Sequence, residues 1–460
     1  MGCFKIKILR FLMSQDSVHG KWRNRWTFIL AASGSAIGLG NIWKFPYIAG
    51  ENGGGAFVLV YLLCISLIAL PVLIAEVSIG KATRLSPINS IKLLSERAKA
   101  SNYWVLCGWG AVIAGFLILS FYMVVAGWSL HYVLLSVQGA FNGLDGASSG
   151  ALFGDFLASP SLVLGYSTVF LVATMLCLGK GIEKGIAATI NVAMPALVGL
   201  LILLVIYGAA EGDFNSAFEF LFIPDFSKLT FNSMLVALGH SFFTLGLGAG
   251  AMMIYGAYMP DDVSITKAGV QIALTDTLIA LTAGMAIFPI VFANGLEPGQ
   301  GPDLIFIALP VAFGGMPFGS VFACLFFLML SCAAFTSAIS MVESTMAYIV
   351  ERKGYTRMKA ARIVGVMVWL VGLGSALSFN VMSDVTLFEK NYFDLIDYLT
   401  TNILLPLVSL GTIWFASWVM ADKDVLSIFP DGRPPLLVVV GRWVAPLGIV
   451  VIFASIFGFL

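Results

Sequence analysis

Five amide or ionisable side chains stand out among those inside the long apolar runs of a 460-residue chain: Asn41 in GSAIGLGNIWKFPY, Glu76 in LIAEVSIGK, His240 in HSFFTLGLGAGA, Asp276 in LTDTLIALTAG and Glu343 in SMVEST. An acid at membrane depth is a functional group by default. Around Asn41 and just after His240 the chain turns to Gly and small residues, with a Gly-Leu-Gly core both times. A helix that unwinds there frees backbone carbonyls, and hard cations take oxygen ligands. It also exposes the N–H groups and positive dipole end of the half-helix that follows, which suit a carboxylate. Irregular backbone survives at that depth only when buried in protein or lining a cavity. The plainer alternative is that the small residues let helices pack closely. Other chemistries lack residues: the three His (His19, His131, His240) are far apart, and the six Cys lie scattered without metal-ligand spacing.

These groups need membrane helices to position them. The chain is 59% hydrophobic and 11% charged, with mean hydropathy +0.96, against about 25% charge in a soluble domain. Net charge is zero and no basic tract occurs, so no nucleic-acid partner is expected. Apolar runs able to span about 30 Å of hydrocarbon fall near 27–48, 56–80, 103–138, 163–179, 188–210, 231–258, 267–293, 317–350, 360–380, 391–420 and 434–460. The reading is an all-α polytopic protein with about eleven crossings. Pro71, Pro195 and Pro406 lie inside runs and are expected to kink them. The loop 294–316 holds DLIFIALPVAF, too short to span, a re-entrant or capping element. With the N-terminus placed inside, 21 of the 25 Lys and Arg fall on the cytoplasmic side, as the positive-inside rule requires. Residues 1–20 form a cytoplasmic segment in which Met13 is an alternative start, and lipidation is dismissed because Ile6 stands where the Met-Gly pattern wants Ser or Thr.

Paired, Gly-interrupted spans in corresponding places, the first and sixth runs, point to an inverted-repeat secondary transporter. Their sequences, with ENGGGAFVLVYLL (Glu51 to Leu63) and AAFTSAIS (Ala333 to Ser340), resemble the neurotransmitter:sodium symporter family, in its bacterial amino-acid branch. The likeness runs from about Trp22 to Lys423. It implies a five-plus-five inverted repeat with helices 1 and 6 broken: 21–210 as the first repeat, 211–421 as the second, and 422–460 as helix 11 with its preceding loop. It also implies a bacterial inner-membrane protein that carries an amino acid, is no enzyme, uses Na⁺ without an organic cofactor, and is a monomer or weak homodimer in the lipid bilayer.

Carried over by position, the resemblance implies two Na⁺ sites. The first takes the Ala36 carbonyl, Asn41, Thr244 and Asp276, where a bacterial member has Asn. The second takes the carbonyls of Gly34, Ile37 and Ala333 with the hydroxyls of Thr336 and Ser337. Chloride-dependent members carry Ser one turn beyond Asp276. Ala280 stands there, so chloride-independent transport is expected, with Asp276 supplying the charge and taking up a proton as Na⁺ leaves. Amine carriers place Asp at the position of Gly38, so this substrate must bring its own carboxylate. That group would lie by the N–H of Gly40, the Tyr122 hydroxyl and the first Na⁺. Its ammonium would meet carbonyls of Ala36, Phe243, Thr244 and Gly246 and the Ser337 hydroxyl. Ile118, Phe243, Ala249, Ser337 and Met341 would wall the side chain, with Ser35 nearby. Ala249 and Gly246 replace Phe and Ser of a leucine-carrying member, so a roomier pocket for bulky hydrophobic or aromatic amino acids is expected.

For gates, the resemblance implies a Tyr122–Phe243 lid and an outer pair of Lys44 with Asp397, or Asp394 one turn earlier. The plainer alternative for Lys44 and Asp397 is a pair of snorkelling interfacial charges. The inner cluster is Trp22, Tyr258 and Glu351. Its usual Arg is replaced by His19, with Lys21 or Arg23 as substitutes. Glu76 is expected to bond the freed backbone of the broken first helix. His240 is read as a satisfied polar residue rather than a proton carrier, and Glu343 as a water-linked proton site or a buried hydrogen bond. The rival within transport is a proton-coupled carrier on the same architecture.

Overall fold

The computed structural model describes residues 20–298 and 303–456; residues 1–19, with His19 and Met13, lie outside them. Among the described residues, eight helices are long and apolar enough to cross a bilayer. The first crossing is split into α1a (Arg25–Ala36) and α1b (Phe45–Glu51). Next come α2 (Gly55–Thr83), α3 (Asn102–Val137), α4 (Pro160–Gly179) and α5 (Ile182–Glu211). The sixth is split into α6a (Phe231–Thr244) and α6b (Ala251–Tyr258). Then follow α7 (Ile265–Ala293), α8 (Gly319–Lys353), α9 (Arg357–Leu377) and α10 (Tyr392–Val419). The last crossing, α11, joins Pro435–Val439 to Ala445–Ile456.

The long helices α3 and α8 lie against each other, with α4 and α9 on one side and α1a, α2, α6b and α7 on the other. Glycines set the closest approach. A Cβ on Gly80 of α2 would lie 1.8 Å from the Met253 carbonyl of α6b, and one on Gly256 would lie 2.3 Å from the Val77 carbonyl of α2. The α2 and α6b backbones therefore touch directly, as small residues permit in membranes.

Proline shapes the helices in one repeated way. Of seven wide, π-type turns among the described residues, Ile182–Ala187 and Phe415–Val419 stand apart from proline, and five span Gly40–Lys44, Ile65–Ala69, Leu304–Ala308, Leu399–Leu404 and Val440–Val444. Each of these five is followed two residues later by a proline: Pro46, Pro71, Pro310, Pro406 and Pro446. The residue before each proline bonds five residues back, as Phe45 does to Gly40 and Leu70 to Ile65. A proline ring clashes with the carbonyl four residues earlier and lacks an N–H, so the turn before it opens by one residue. Pro71 and Pro406 thus distort their helices as widened turns, whereas Pro195 sits inside the regular stretch Ala188–Glu211.

The apolar segment in loop 294–316 is a cap. Tyr132 of α3 donates to the Phe306 carbonyl at 2.9 Å, Ser149 to that of Ile307 at 2.8 Å, and Phe306 stacks among Trp128, Phe153 and Phe327.

Candidate functional site

The two breaks meet in the middle of the molecule. α1a ends where Ile37 becomes extended (φ −71°, ψ 106°). Across it, α6a ends at Thr244, and Gly246, Gly248 and Gly250 all take positive φ (+62°, +76°, +74°). Alternate left-handed residues are open to glycine at little steric cost, which is what GLGAGA supplies. Gly40 lies against the Phe243 ring and the Thr244 backbone.

Around this junction the oxygen-bearing residues fall into two groups. In one, the Asn41 amide donates to the Asp276 carboxylate at 2.8 Å and to its carbonyl at 3.0 Å, while the Thr244 hydroxyl donates to both carboxylate oxygens at 3.1 and 3.2 Å. The Asn41 side-chain oxygen accepts from the Gly38 N–H at 3.0 Å. Asp276 is fully buried. In the other, the Thr336 hydroxyl reaches the carbonyls of Ala333 (3.0 Å) and Ile37 (3.5 Å), and Ser337 those of Ser35 and Ile37 (both 3.1 Å). A Cβ on Gly34 would lie 2.9 Å from the Met194 sulfur and 3.7 Å from the Thr336 side chain.

Between the groups lies a cavity of about 20 Å³, lined by Ser35, Ala36, Gly40, Ile118, Tyr122, Phe243, Gly246, Ala249, Ser337 and Met341. Ser340, Leu405 and Gly38 also line it; Ser340 and Leu405 sit among ordinary helix residues and have no sequence signal. A space of that size holds about one water, so in this conformation the pocket is closed down rather than enlarged. The Tyr122 hydroxyl accepts from the Leu39 N–H at 3.2 Å. Gly38 has no room for a side chain: a Cβ there would lie 2.3 Å from the Ser337 hydroxyl and 2.9 Å from that of Tyr122.

On the side away from the N-terminus, the Lys44 ammonium lies 3.4 Å from Asp397 and 4.4 Å above the Phe243 ring centre. Thr401 also bonds Asp397, at 2.9 Å. Asp394 is instead in the first turn of α10, its N–H capped by Asn391. Beyond Phe243 a second cavity of about 300 Å³ is lined by Lys44, His240, Thr401 and Asn402.

On the N-terminal side, the Trp22 backbone N–H donates to the Tyr258 carbonyl at 2.9 Å, and the Trp22 ring meets Tyr255 and Tyr258 edge-on. Glu351 accepts from the Ser86 N–H at 2.7 Å and from Asn89. Lys21 pairs not with Glu351 but with Asp261, at 2.8 Å, and Arg23 is exposed. Arg84 bonds Asp261 and the Met259 carbonyl as well. The hydrogen bond from Lys21, aided by the Arg84 charge, holds the Asp261 carboxyl below its ordinary range.

Two expectations, for Glu76 and His240, are corrected, and of the two alternatives for Glu343 the buried hydrogen bond is found, with an ion pair beside it. Glu76 accepts from the Gly248 N–H at 2.7 Å, so it ties the sixth break, not the first; α2 packs on α6b through Gly80, which aims Glu76 that way. Neither His240 ring nitrogen has a hydrogen-bond partner among the described residues; the ring lies between Phe45, Tyr61 and Phe243. Glu343 is a buried ion pair: it accepts from Tyr258 at 2.6 Å and pairs with Arg357 at 2.5 Å. Arg357 was unremarkable in the sequence, one of five cations in 352–362.

Comparison with known proteins gives the frame. The profile of the Sodium:neurotransmitter symporter family matches residues 19–143 and 159–454. An uncharacterised sodium-dependent transporter of Bacillus subtilis (strain 168) is 38% identical over 96% of this chain and 98% of its own. One from Haemophilus influenzae is 32% identical over 94% and 97%. Among solved structures, that of MhsT in complex with L-phenylalanine superposes with TM-score 0.87 at 39% identity, covering 95% of this chain and 99% of that one. The fold is accordingly the leucine-transporter fold, with inverted five-helix repeats and helices 1 and 6 broken.

Proposed function

Because the chain belongs to the sodium:neurotransmitter symporter family and is a multi-pass, sodium-dependent transporter rather than an enzyme, we propose that it is a Na⁺-coupled, chloride-independent symporter of bulky hydrophobic or aromatic L-amino acids. The observation that carries this reading is the Asp276 carboxylate, bonded by Asn41 and Thr244 where the two breaks meet. The Asn41 amide, the Thr244 hydroxyl and the Asp276 carboxylate each carry an oxygen that can turn to that point, as a hard cation requires, and Ala280 one turn beyond Asp276 offers nothing to chloride. The first Na⁺ is held by the Ala36 carbonyl, Asn41, Thr244 and Asp276, the second by carbonyls of Gly34, Ile37 and Ala333 with Thr336 and Ser337.

The substrate carboxylate sits by the Gly40 N–H, the Tyr122 hydroxyl and the first Na⁺, and its ammonium by the freed carbonyls of Ala36, Phe243, Thr244 and Gly246. Ion and carboxylate complete each other's site, so each raises the other's affinity. The side chain lies among Ile118, Phe243, Ala249, Ser337 and Met341. These must spread from their present closure, and Met341 is an adaptable wall. The solved relative with L-phenylalanine supports a bulky substrate. Tyr122 and Phe243, then Lys44 with Asp397, bar the outer path. Trp22, Tyr258 and Glu351 bar the inner one, and helices 1, 2, 6 and 7 move against the rest. Repeats at 21–210 and 211–421, an N-terminus in the cytoplasm of a bacterial cell, and a monomer or weak homodimer complete the reading.

The test is uptake of labelled Trp, Tyr, Leu and Gly into sealed proteoliposomes, with inward Na⁺ or K⁺ and with or without Cl⁻. Uptake of the large amino acids that needs Na⁺ and ignores Cl⁻ is expected. Uptake that survives without Na⁺ but follows a pH gradient would overturn the cation assignment in favour of proton coupling.

A further inference from the structure

A groove of about 440 Å³ lies between α4 and α9, far from the central junction. That is the size of a ligand pocket, but its walls face outward: Val172 and Leu176 on α4 and Val366 on α9 are half-exposed. Its floor is cut by small residues one turn apart, Ala361 and Gly365, the latter packed directly on Met175. At one end Trp369 donates to Thr168 at 2.9 Å, so the polar atoms there satisfy each other across the groove.

At the other end stands Arg362, the one charged residue among those lining the groove. It is exposed and makes no hydrogen bond or ion pair with the described residues, whereas Arg357 is committed to Glu343. The neighbouring cations Lys180, Arg352, Lys353 and Lys359 are exposed as well. The acids on this stretch of α8 do not neutralise them: Glu343 is paired inside, and Glu351 is bonded to Ser86 and Asn89. An apolar trough ending in an unneutralised guanidinium at the headgroup level matches a molecule with an apolar tail and an anionic head. Basic pockets between membrane helices on the cytoplasmic side hold such headgroups, and a guanidinium suits a phosphate fork.

We propose that this groove binds one anionic diacyl phospholipid from the leaflet on the N-terminal side, an acyl chain lying over Ala361 and Gly365 and the phosphodiester held by Arg362. In the orientation proposed above that is the cytoplasmic leaflet, where anionic lipid is found. The lipid would bridge α4 and α9, which flank α3 and α8, and so stiffen the part of the molecule against which the broken helices work.

Native mass spectrometry of the full-length protein, delipidated in detergent and titrated with dioleoyl-phosphatidylglycerol or dioleoyl-phosphatidylcholine, tests this. Wild type should retain one phosphatidylglycerol in preference to phosphatidylcholine. Arg362→Gln should cut that retention about fivefold, the effect of one cation at an anionic surface, while Lys353→Gln, outside the groove, should change it little. Val366→Trp should lower retention of both lipids by filling the trough. Both groove positions are exposed, so the variants should melt with wild type. Equal retention by wild type and Arg362→Gln, or no preference between lipids, overturns the proposal. So does a lipid-free dimer that Val366→Trp abolishes, which would make the groove an interface between copies.

Discussion

Asp276 joins two broken helices through one carboxylate, so its charge should matter more than its shape. Asp276→Asn keeps the size and can still bond Asn41 and Thr244. It is expected to raise the Na⁺ concentration for half-maximal substrate binding at least about tenfold, worth about 1.4 kcal/mol. Na⁺ titration of bound labelled amino acid measures this, and an unchanged midpoint would place the first ion elsewhere. Glu343 invites a different experiment, because removing one partner of a buried ion pair strands the other. Glu343→Gln should destabilise the protein by about 3–5 kcal/mol, and pairing it with Arg357→Met should recover much of that loss. Thermal melting of the single and double variants decides; additive losses would mean that the two residues do not act as a pair. Both carboxylates were legible as buried acids. Their partners were not, because Arg357 lies 14 residues beyond Glu343 and only the turn between α8 and α9 returns it to the pair. Glu76 shows the same limit: its burial could be read from LIAEVSIGK, whereas the break it serves depends on how Gly80 lets α2 meet α6b.

At the scale of elements, the glycines after Thr244 divide into two kinds. Gly248 combines φ +76° with contact: a Cβ there would lie 2.4 Å from the Leu405 carbonyl of α10. Gly246 has φ +62° but nothing within 4 Å of such an atom. Gly246→Ala should therefore cost only the left-handed penalty, about 1–2 kcal/mol, and favour smaller substrates because the methyl enters the pocket. Gly248→Ala should abolish binding or folding. Size-exclusion profiles with binding to a Gly-to-Trp substrate series separate the two, and equal tolerance would mean that the break repacks freely. The breaks themselves were readable because Gly-rich tracts inside apolar runs have few other uses. The pocket's size was not, since residue volumes at Ala249 and Gly246 say nothing of how far Phe243 and Met341 close over them.

Across the whole molecule, both paths to the centre are shut. Phe243 lines the small central cavity and carries on its face Lys44, which lines the second cavity of about 300 Å³. Phe243→Ala should join the two spaces and speed release of a bound amino acid at least about tenfold, because such losses appear mainly in the off-rate. Filter-binding decay measures it; an unchanged rate would mean that Lys44 and Asp397 alone hold the outer path. The number of crossings was legible in hydropathy. The widened turns were not, although proline marks five of the seven among the described residues, because a one-residue bulge leaves composition unchanged. Those turns bear on the chain's history of insertion and deletion. A π-type turn amounts to one extra residue in a helix, so removing a residue there restores regular pitch and leaves every later side chain on its original face. Elsewhere in a helix the same loss turns all that follows by about 100°. Taking Ser66 out of Ile65–Ala69 together with Pro71→Ala should leave a folded protein, whereas the same loss from α3 or α8, which have no such slack, should not. Length differences among homologous crossings should gather at these turns.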